Sequence, residues 1–385
     1  LKLNHNIHLA YCTNIHRGES WEEIWEALKR HTLAVRDRVG AGRPYAIGLR
    51  LSDVASRELS DPGALLEFQR WLDQENCYVF TINGFPYGRF HGTRVKEQVY
   101  QPDWTTPERL EYTKRLFRIL AELVPAETGG SVSTVPCSYK EFITSGDQVA
   151  RMRSNLWDCV EFLEELSLRS GKDLHLGLEP EPLCYLETSG ETVEFMGRMR
   201  GDRPGDDRVA RRLGVNYDTC HLAVEFEEPL DVVEAFRSNG IRVSKLHFSS
   251  ALATQPAETR VELGAFVEEV YFHQVVARKP DGTIVRHRDL DVALQSARVE
   301  AGEEWRIHFH VPLHAQPRPG FATTSTHILG VMDALASDPG LCSHIEMETY
   351  TWEVLPPELK KREVVDQLAD EYRWTLGEMA KRGLA

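Results

Sequence analysis

The 385-residue sequence is short of several things, and each shortage excludes a class of protein. Its seven cysteines, at positions 12, 77, 137, 159, 184, 220 and 342, include no CxxC pair and no framework spacing. Neither a disulfide scaffold nor a thiolate zinc cage is therefore expected, and a reducing cytosol is the compartment that fits. No apolar run approaches the roughly 18 residues of a membrane span, so none is expected to cross a bilayer. The N-terminus "LKLNHNIHLAYC" has no cationic region followed by a long apolar stretch, which predicts no secretory leader, and the missing initiator Met points to a trimmed start. Basic runs are missing too: 45 Lys and Arg against 59 Asp and Glu give a formal net charge of −14, spread along the chain. Nucleic acid is accordingly not expected as a partner. No Gly/Ser linker, low-complexity tract or short repeat divides the sequence, so a single domain over 1–385 is expected.

What is present is an alternation. Short β-branched and aromatic runs alternate with longer segments of helical period, the pattern of a parallel sheet covered by crossover helices. The strand candidates are "IHLAYCTN" (7–14), "YAIGLRLS" (45–52), "YVFTINGF" (78–85), "GSVSTVPC" (130–137), "LHLGLEPE" (174–181), "LGVNYDTC" (213–220), "VSKLHFSS" (243–250) and "HIEMETYT" (344–351). Eight is the number that closes a barrel, so the expected fold is α/β, a (β/α)8 TIM barrel. Helix starts support the frame: Ser20 with Glu23 reads as a capping box, and Thr106 precedes Pro107 at a first helical position. Further helices are predicted at 147–169, 230–238 and 357–382.

About a hundred residues separate the seventh and eighth strands, far more than a crossover helix needs. An insertion over about 252–340 is expected on the active-site face, with a helical piece (261–270), a hairpin around the DG turn of "VVARKPDGTIVRHRDL" and an extra strand at 305–313. Residues 86–104 form a second excursion, after strand three.

Polar residues recur at the C-terminal ends of the predicted strands, where barrel active sites assemble. Strand five ends in Glu179 and Glu181, strand six in Asp218 with His221 just beyond, strand seven carries His247, and strand eight carries Glu346 and Glu348. A lone acid at a strand end ordinarily caps a helix or faces solvent. Several acids in order on consecutive strands, each beside apolar residues, point instead to a shared divalent cation that offsets their burial. Oxygen and imidazole donors without thiolate suit Mn²⁺, Fe²⁺, Co²⁺ or Zn²⁺. Asn14, Arg50, Asn83, Phe85, Tyr87 and His91 lie near strand mouths and are candidate substrate contacts. His273, His287 and His327 stand alone and read as surface or core histidines.

The succession "LGLEPEP", "NYDTCH", "SKLHFSS" and "EMETYTW" resembles the xylose-isomerase-like TIM-barrel superfamily, which holds sugar isomerases, epimerases and endonuclease IV-type enzymes. "HLAYCTNIHRGESW", "TINGFPYGRFHG", "VKEQVYQPDW" and "HIEMETYTWEVLP" resemble, more narrowly, the EboE family of bacterial metabolite-traffic proteins encoded with other Ebo proteins. The resemblance implies that Glu179, Asp218, His247 and Glu348 bind one divalent metal, with Glu179 and Glu348 also exchanging the substrate proton. Glu346 faces the same way as Glu348, so the choice between them as the ligand rests on the "MET" ending alone. His221 would reach substrate or a second ion, as would His308, His310, Glu346 and Glu181. In endonuclease IV-type proteins an Asp-x-His serves an additional zinc; "RIHFHVPLH" has His-x-His instead.

Three functions follow as expectations. The first is a metal-dependent isomerase or epimerase of a small carbohydrate-like metabolite. The second is a non-catalytic metabolite carrier with a metal pocket, in contact with other Ebo proteins. The third is a multinuclear zinc phosphodiesterase, against which the acidic charge stands.

Overall fold

A computed structural model describes residues 1–296, 298–315, 319–357, 360 and 362–385. Eight strands form one parallel sheet: β1 (His8–Tyr11), β2 (Tyr45–Arg50), β3 (Cys77–Asn83), β4 (Gly130–Thr134), β5 (Leu174–Leu178), β6 (Leu213–Asp218), β7 (Arg242–Phe248) and, last in the chain, the strand His344–Met347. In between come five further strands: β8 (Ala251–Thr254), β9 (Val275–Arg278), β10 (Ile284–His287), β11 (Glu304–His310) and β12 (Phe321–Thr323), which makes His344–Met347 β13. The parallel order is β1-β13-β7-β6-β5-β4-β3-β2, and a parallel bridge from Cys12 to Gly48 joins the two ends into a TIM barrel.

The strands are buried on both faces, as parallel strands covered by helices must be. Their outward residues pack under helices whose starts were legible. Ser20 and Glu23 exchange both bonds of a capping box at Trp21–Ala27, and Pro107 opens Pro107–Leu123. The other predicted helices are found at Gly146–Ser170, Pro229–Ser238 and Val364–Ala380. Of the predicted start of the last one, Glu358, Leu359 and Lys361 lie outside the described residues. Among the described residues no helix is long and apolar enough to cross a membrane. All seven cysteines are buried and unpaired.

The five additional strands form an antiparallel sheet of order β10-β9-β11-β8-β12. The β9–β10 hairpin turns at the DG pair, and β11 covers most of the predicted strand 305–313. Two edges of the reading change. The helical piece at 261–270 is a single 3-10 turn, Glu262–Phe266, preceded by the short helix Pro256–Thr259. Past β12, the helix Ser325–Ser337 feeds β13 as an ordinary crossover, so the antiparallel sheet stops at Thr323, short of 340.

Candidate metal centre

The interior of the barrel is polar in two successive layers. In the upper layer Glu179 follows β5, Asp218 ends β6, His247 lies on β7 and Glu348 follows β13. One ligand atom from each lies within 4.8 Å of those of the others, and all four side chains are buried. His247 is at the centre: its Nδ1 is 3.3 Å from Glu179 Oε1, 3.4 Å from Glu348 Oε2 and 3.6 Å from Asp218 Oδ2.

The lower layer fixes which nitrogen points up. Glu346 Oε2 accepts from Lys245 Nζ at 2.5 Å and lies 3.0 Å from His247 Nε2. Lys245 also donates to Ser133 Oγ at 2.9 Å. Burial opposes the charge on Glu346, but Lys245 and His247 outweigh it and hold the carboxyl near 2, so it is ionised and accepts the Nε2–H. Nδ1 is thereby turned to three carboxylates, with the Asn216 amide as a further neighbour at 3.2 Å. Gly48 makes room for this layer, because a Cβ there would sit 2.0 Å from Glu346 Oε1.

Each carboxylate has one oxygen held by donors and one turned to the cluster. Glu179 Oε2 accepts from Asn216 at 2.6 Å, and Glu348 Oε1 accepts from Asn14 at 2.7 Å and Asn83 at 3.0 Å. Asp218 Oδ1 accepts from Ser249 Oγ at 2.6 Å and from the His221 N–H at 3.0 Å, capping the helix Thr219–Val224, while its Oδ2 is buried without a partner. Without a cation, burial works against a charged His247, yet Glu348, Glu179 and Asp218 outweigh it and hold the imidazole well above its ordinary value. The set therefore demands a positive charge, and its mixture of oxygens and one imidazole nitrogen fits a divalent ion.

A second group adjoins the first. His221 Nε2 is 3.1 Å from His308 Nε2, which is 3.3 Å from His310 Nε2. Each ring has its Nδ1 on an oxygen that can only accept: Pro180 O at 3.0 Å, Gln274 Oε1 at 2.8 Å and Glu348 O at 3.0 Å. Each Nδ1 then carries a proton, and the three Nε2 atoms converge. Asp218, His221 and His310 also fall within ligand spacing, as do Cys220, His308 and His310. His-x-His brings both rings to one face of β11, and a bulge between Ile307 and His310 sets their aim.

No family model and no curated protein matches the sequence. Solved structures do match. An L-ribulose 3-epimerase aligns at 14% identity and TM-score 0.50, over 98% of this chain and 95% of that one. The IolI protein with a bound zinc atom aligns at 13% and 0.51, over 98% and 99%. A D-tagatose 3-epimerase-like protein aligns at 12% and 0.51, over 97% and 100%. The chain shares the TIM-barrel fold of these three proteins. The narrower EboE resemblance stands on its sequence strings alone.

In this barrel the expected substrate contacts separate into three groups. Phe85 lines the cavity above the cluster. Asn14 and Asn83 line it too, but their amides are used on Glu348, so they orient a carboxylate. Arg50, Tyr87 and His91 do not reach the cavity. Arg50 donates to Gly18 O and Gly88 O, Tyr87 packs edge-on to Tyr112, and His91 joins Asn14 O to the Tyr271 hydroxyl. Glu346 sits below the first cluster, held by Lys245 and His247, and is no part of the second. Glu181 lines the cavity and accepts from Tyr100 at 2.7 Å; burial pushes its carboxyl up to about 7. Of the lone histidines, His273 is buried between His308 O and Glu268, and His327 bonds Tyr217.

The sequence reading missed most of the cavity wall: Phe90, Val95, Lys96, Tyr271, Phe272 and Tyr350. The signal was the excursion over 86–104, whose Val95 and Lys96 N–H groups both donate to Val270 O of the inserted segment.

Proposed function

We propose that this chain is a divalent-metal-dependent isomerase or epimerase of a small, carbohydrate-like metabolite bearing a hydroxyl beside a carbonyl. One observation carries the reading: His247 Nδ1 faces three buried carboxylates, and Asp218 Oδ2 has no partner. The same fold in an L-ribulose 3-epimerase and a D-tagatose 3-epimerase-like protein, and the zinc atom of IolI, are consistent with it.

Glu179, Asp218, His247 and Glu348 would hold the ion. When bound, it supplies polarisation of the carbonyl and stabilises charge that develops as the adjacent carbon loses its proton. Glu179 and Glu348 line the cavity and are the candidate proton acceptor and donor. Asn216 fixes the carboxylate of Glu179, and Asn14 with Asn83 fixes that of Glu348, so neither has to reorient during proton transfer. The test is solvent deuterium: in a panel of hydroxy ketones, from ketoses to ring-bearing ones, incubated with the metal-loaded protein in D2O, the substrate should gain label at the carbon beside the carbonyl, and Glu179→Gln should abolish it. Tight ligand binding without label would select the carrier reading, with its Ebo partners.

The converging Nε2 atoms of His221, His308 and His310 favour a second ion, and with it a second reading as a phosphodiesterase. Two ions per chain together with cleavage of bis(p-nitrophenyl) phosphate would select that reading.

A further inference from the structure

A cavity opens above the cluster. Its floor is polar, formed by Glu179, Glu348, His221 and His308, but its wall is of another kind. Phe85, Phe90, Val95, Val99, Phe272 and Tyr350 line it, and the rings brace one another. Phe90 is 5.2 Å from Tyr271 and 5.4 Å from Tyr350, and Tyr271 is 5.1 Å from Tyr350.

Most polar groups of this wall are already in use. The Tyr100 hydroxyl donates to Glu181, the Tyr271 hydroxyl meets His91, and the Asn14 and Asn83 amides hold Glu348. The single lysine or arginine lining the cavity, among the described residues, is Lys96, and it is paired with Asp289 at 2.7 Å. What remains is the Tyr350 hydroxyl, the Asn14 side-chain oxygen and one oxygen of Glu181, which meets only the Cys184 thiol. A sugar carries a hydroxyl on nearly every carbon, and buried here most would lose water without gaining a partner. A phosphate or carboxylate on the outer part of the ligand would find no free cation.

We infer that the ligand is two-ended: adjacent oxygen donors at the metal, and an uncharged, apolar ring-bearing body against Phe85, Phe90 and Phe272. This deepens the metal-centred reading above and rests on it for the oxygenated end. Aromatic faces would cover the ring as they cover one another. It narrows the substrate from simple sugars and sugar phosphates to hydroxy-carbonyl compounds with a hydrophobic substituent.

Two hydroxamates separate the ends, since acetohydroxamate and benzohydroxamate chelate a metal alike and differ only in the ring. On the zinc-loaded full-length protein, calorimetry should find benzohydroxamate at least about tenfold tighter, from the apolar area the ring buries. Val99→Trp, which fills the cavity, should remove most of that advantage, and Phe272→Ala should reduce it. Equal affinities, or a preference for D-fructose over benzohydroxamate, would overturn the inference. If the purified chain takes up no metal, the metal-centred reading fails by that result, and the apolar end is read separately by saturation-transfer NMR. Transfer to benzyl alcohol that Val99→Trp abolishes upholds it; no transfer, or equal transfer to glycerol, overturns it.

Discussion

His247 donates its Nε2–H to Glu346 at 3.0 Å inside the barrel, and that bond decides which ring nitrogen faces the carboxylates of Glu179, Asp218 and Glu348. A neutral partner would hold the ring less firmly and make Nδ1 a weaker base. Glu346→Gln should therefore weaken metal binding by about 10–100-fold while the barrel stays folded. Chelator competition with zinc reads the affinity and circular dichroism the fold; unchanged affinity would show that Glu346 does not tune the centre.

Lys245 and Glu346 are both fully buried, and the ion pair is a matched one. Lys245→Met leaves the Glu346 carboxylate without its main counter-charge, which should cost about 3–5 kcal/mol in denaturant unfolding. The double variant Lys245→Met with Glu346→Gln should recover a good part of that loss. Additive losses in the double-mutant cycle would mean that the pair is not coupled.

Gly48 owes its identity to space, since a Cβ there would meet Glu346 Oε1 at 2.0 Å and Tyr11 O at 2.7 Å. Glu346 is pinned by Lys245 and His247 and cannot swing away cheaply. Gly48→Ala should lower stability by about 1–3 kcal/mol and weaken metal binding together. A stability loss with metal affinity intact would separate the two layers.

Glu371, in the last helix, accepts from the Leu313 N–H and the Thr349 hydroxyl, and burial pushes its carboxyl up to about 7. Its ordinary value is 4.5, so below that pH both folded and unfolded chains hold the proton and the group is neutral for stability. Between the two values the unfolded chain releases its proton and the folded one does not. The folded state loses stability over this window and carries the full penalty above about 7. Glu371→Gln should leave the melting temperature near pH 4.5 almost unchanged and raise it near pH 8. A constant difference across the range would contradict this.

The barrel was legible because each strand is a short apolar run closed by polar or turn residues, and Glu179, Asp218, His247 and Glu348 were legible as polar interruptions of such runs. Period two also placed Glu346 and Glu348 on one face. It could not say that two residues move a side chain about 7 Å along the strand, so Glu346 ended in a different layer and beside Lys245, which was not singled out. Arg50 shows the same limit: its strand position was found, but its partners are loop carbonyls of Gly18 and Gly88. The cavity wall joins residues 85–100 to 271–272 across the inserted segment, a pairing that no local pattern encodes.

Anomalous diffraction from crystals of the protein purified without chelator tests the centre most directly, since it reports element, position and number. The expected result is a peak about 2.0–2.3 Å from His247 Nδ1 and from one oxygen each of Glu179, Asp218 and Glu348. A metal-replete crystal with no peak among those four side chains would contradict it.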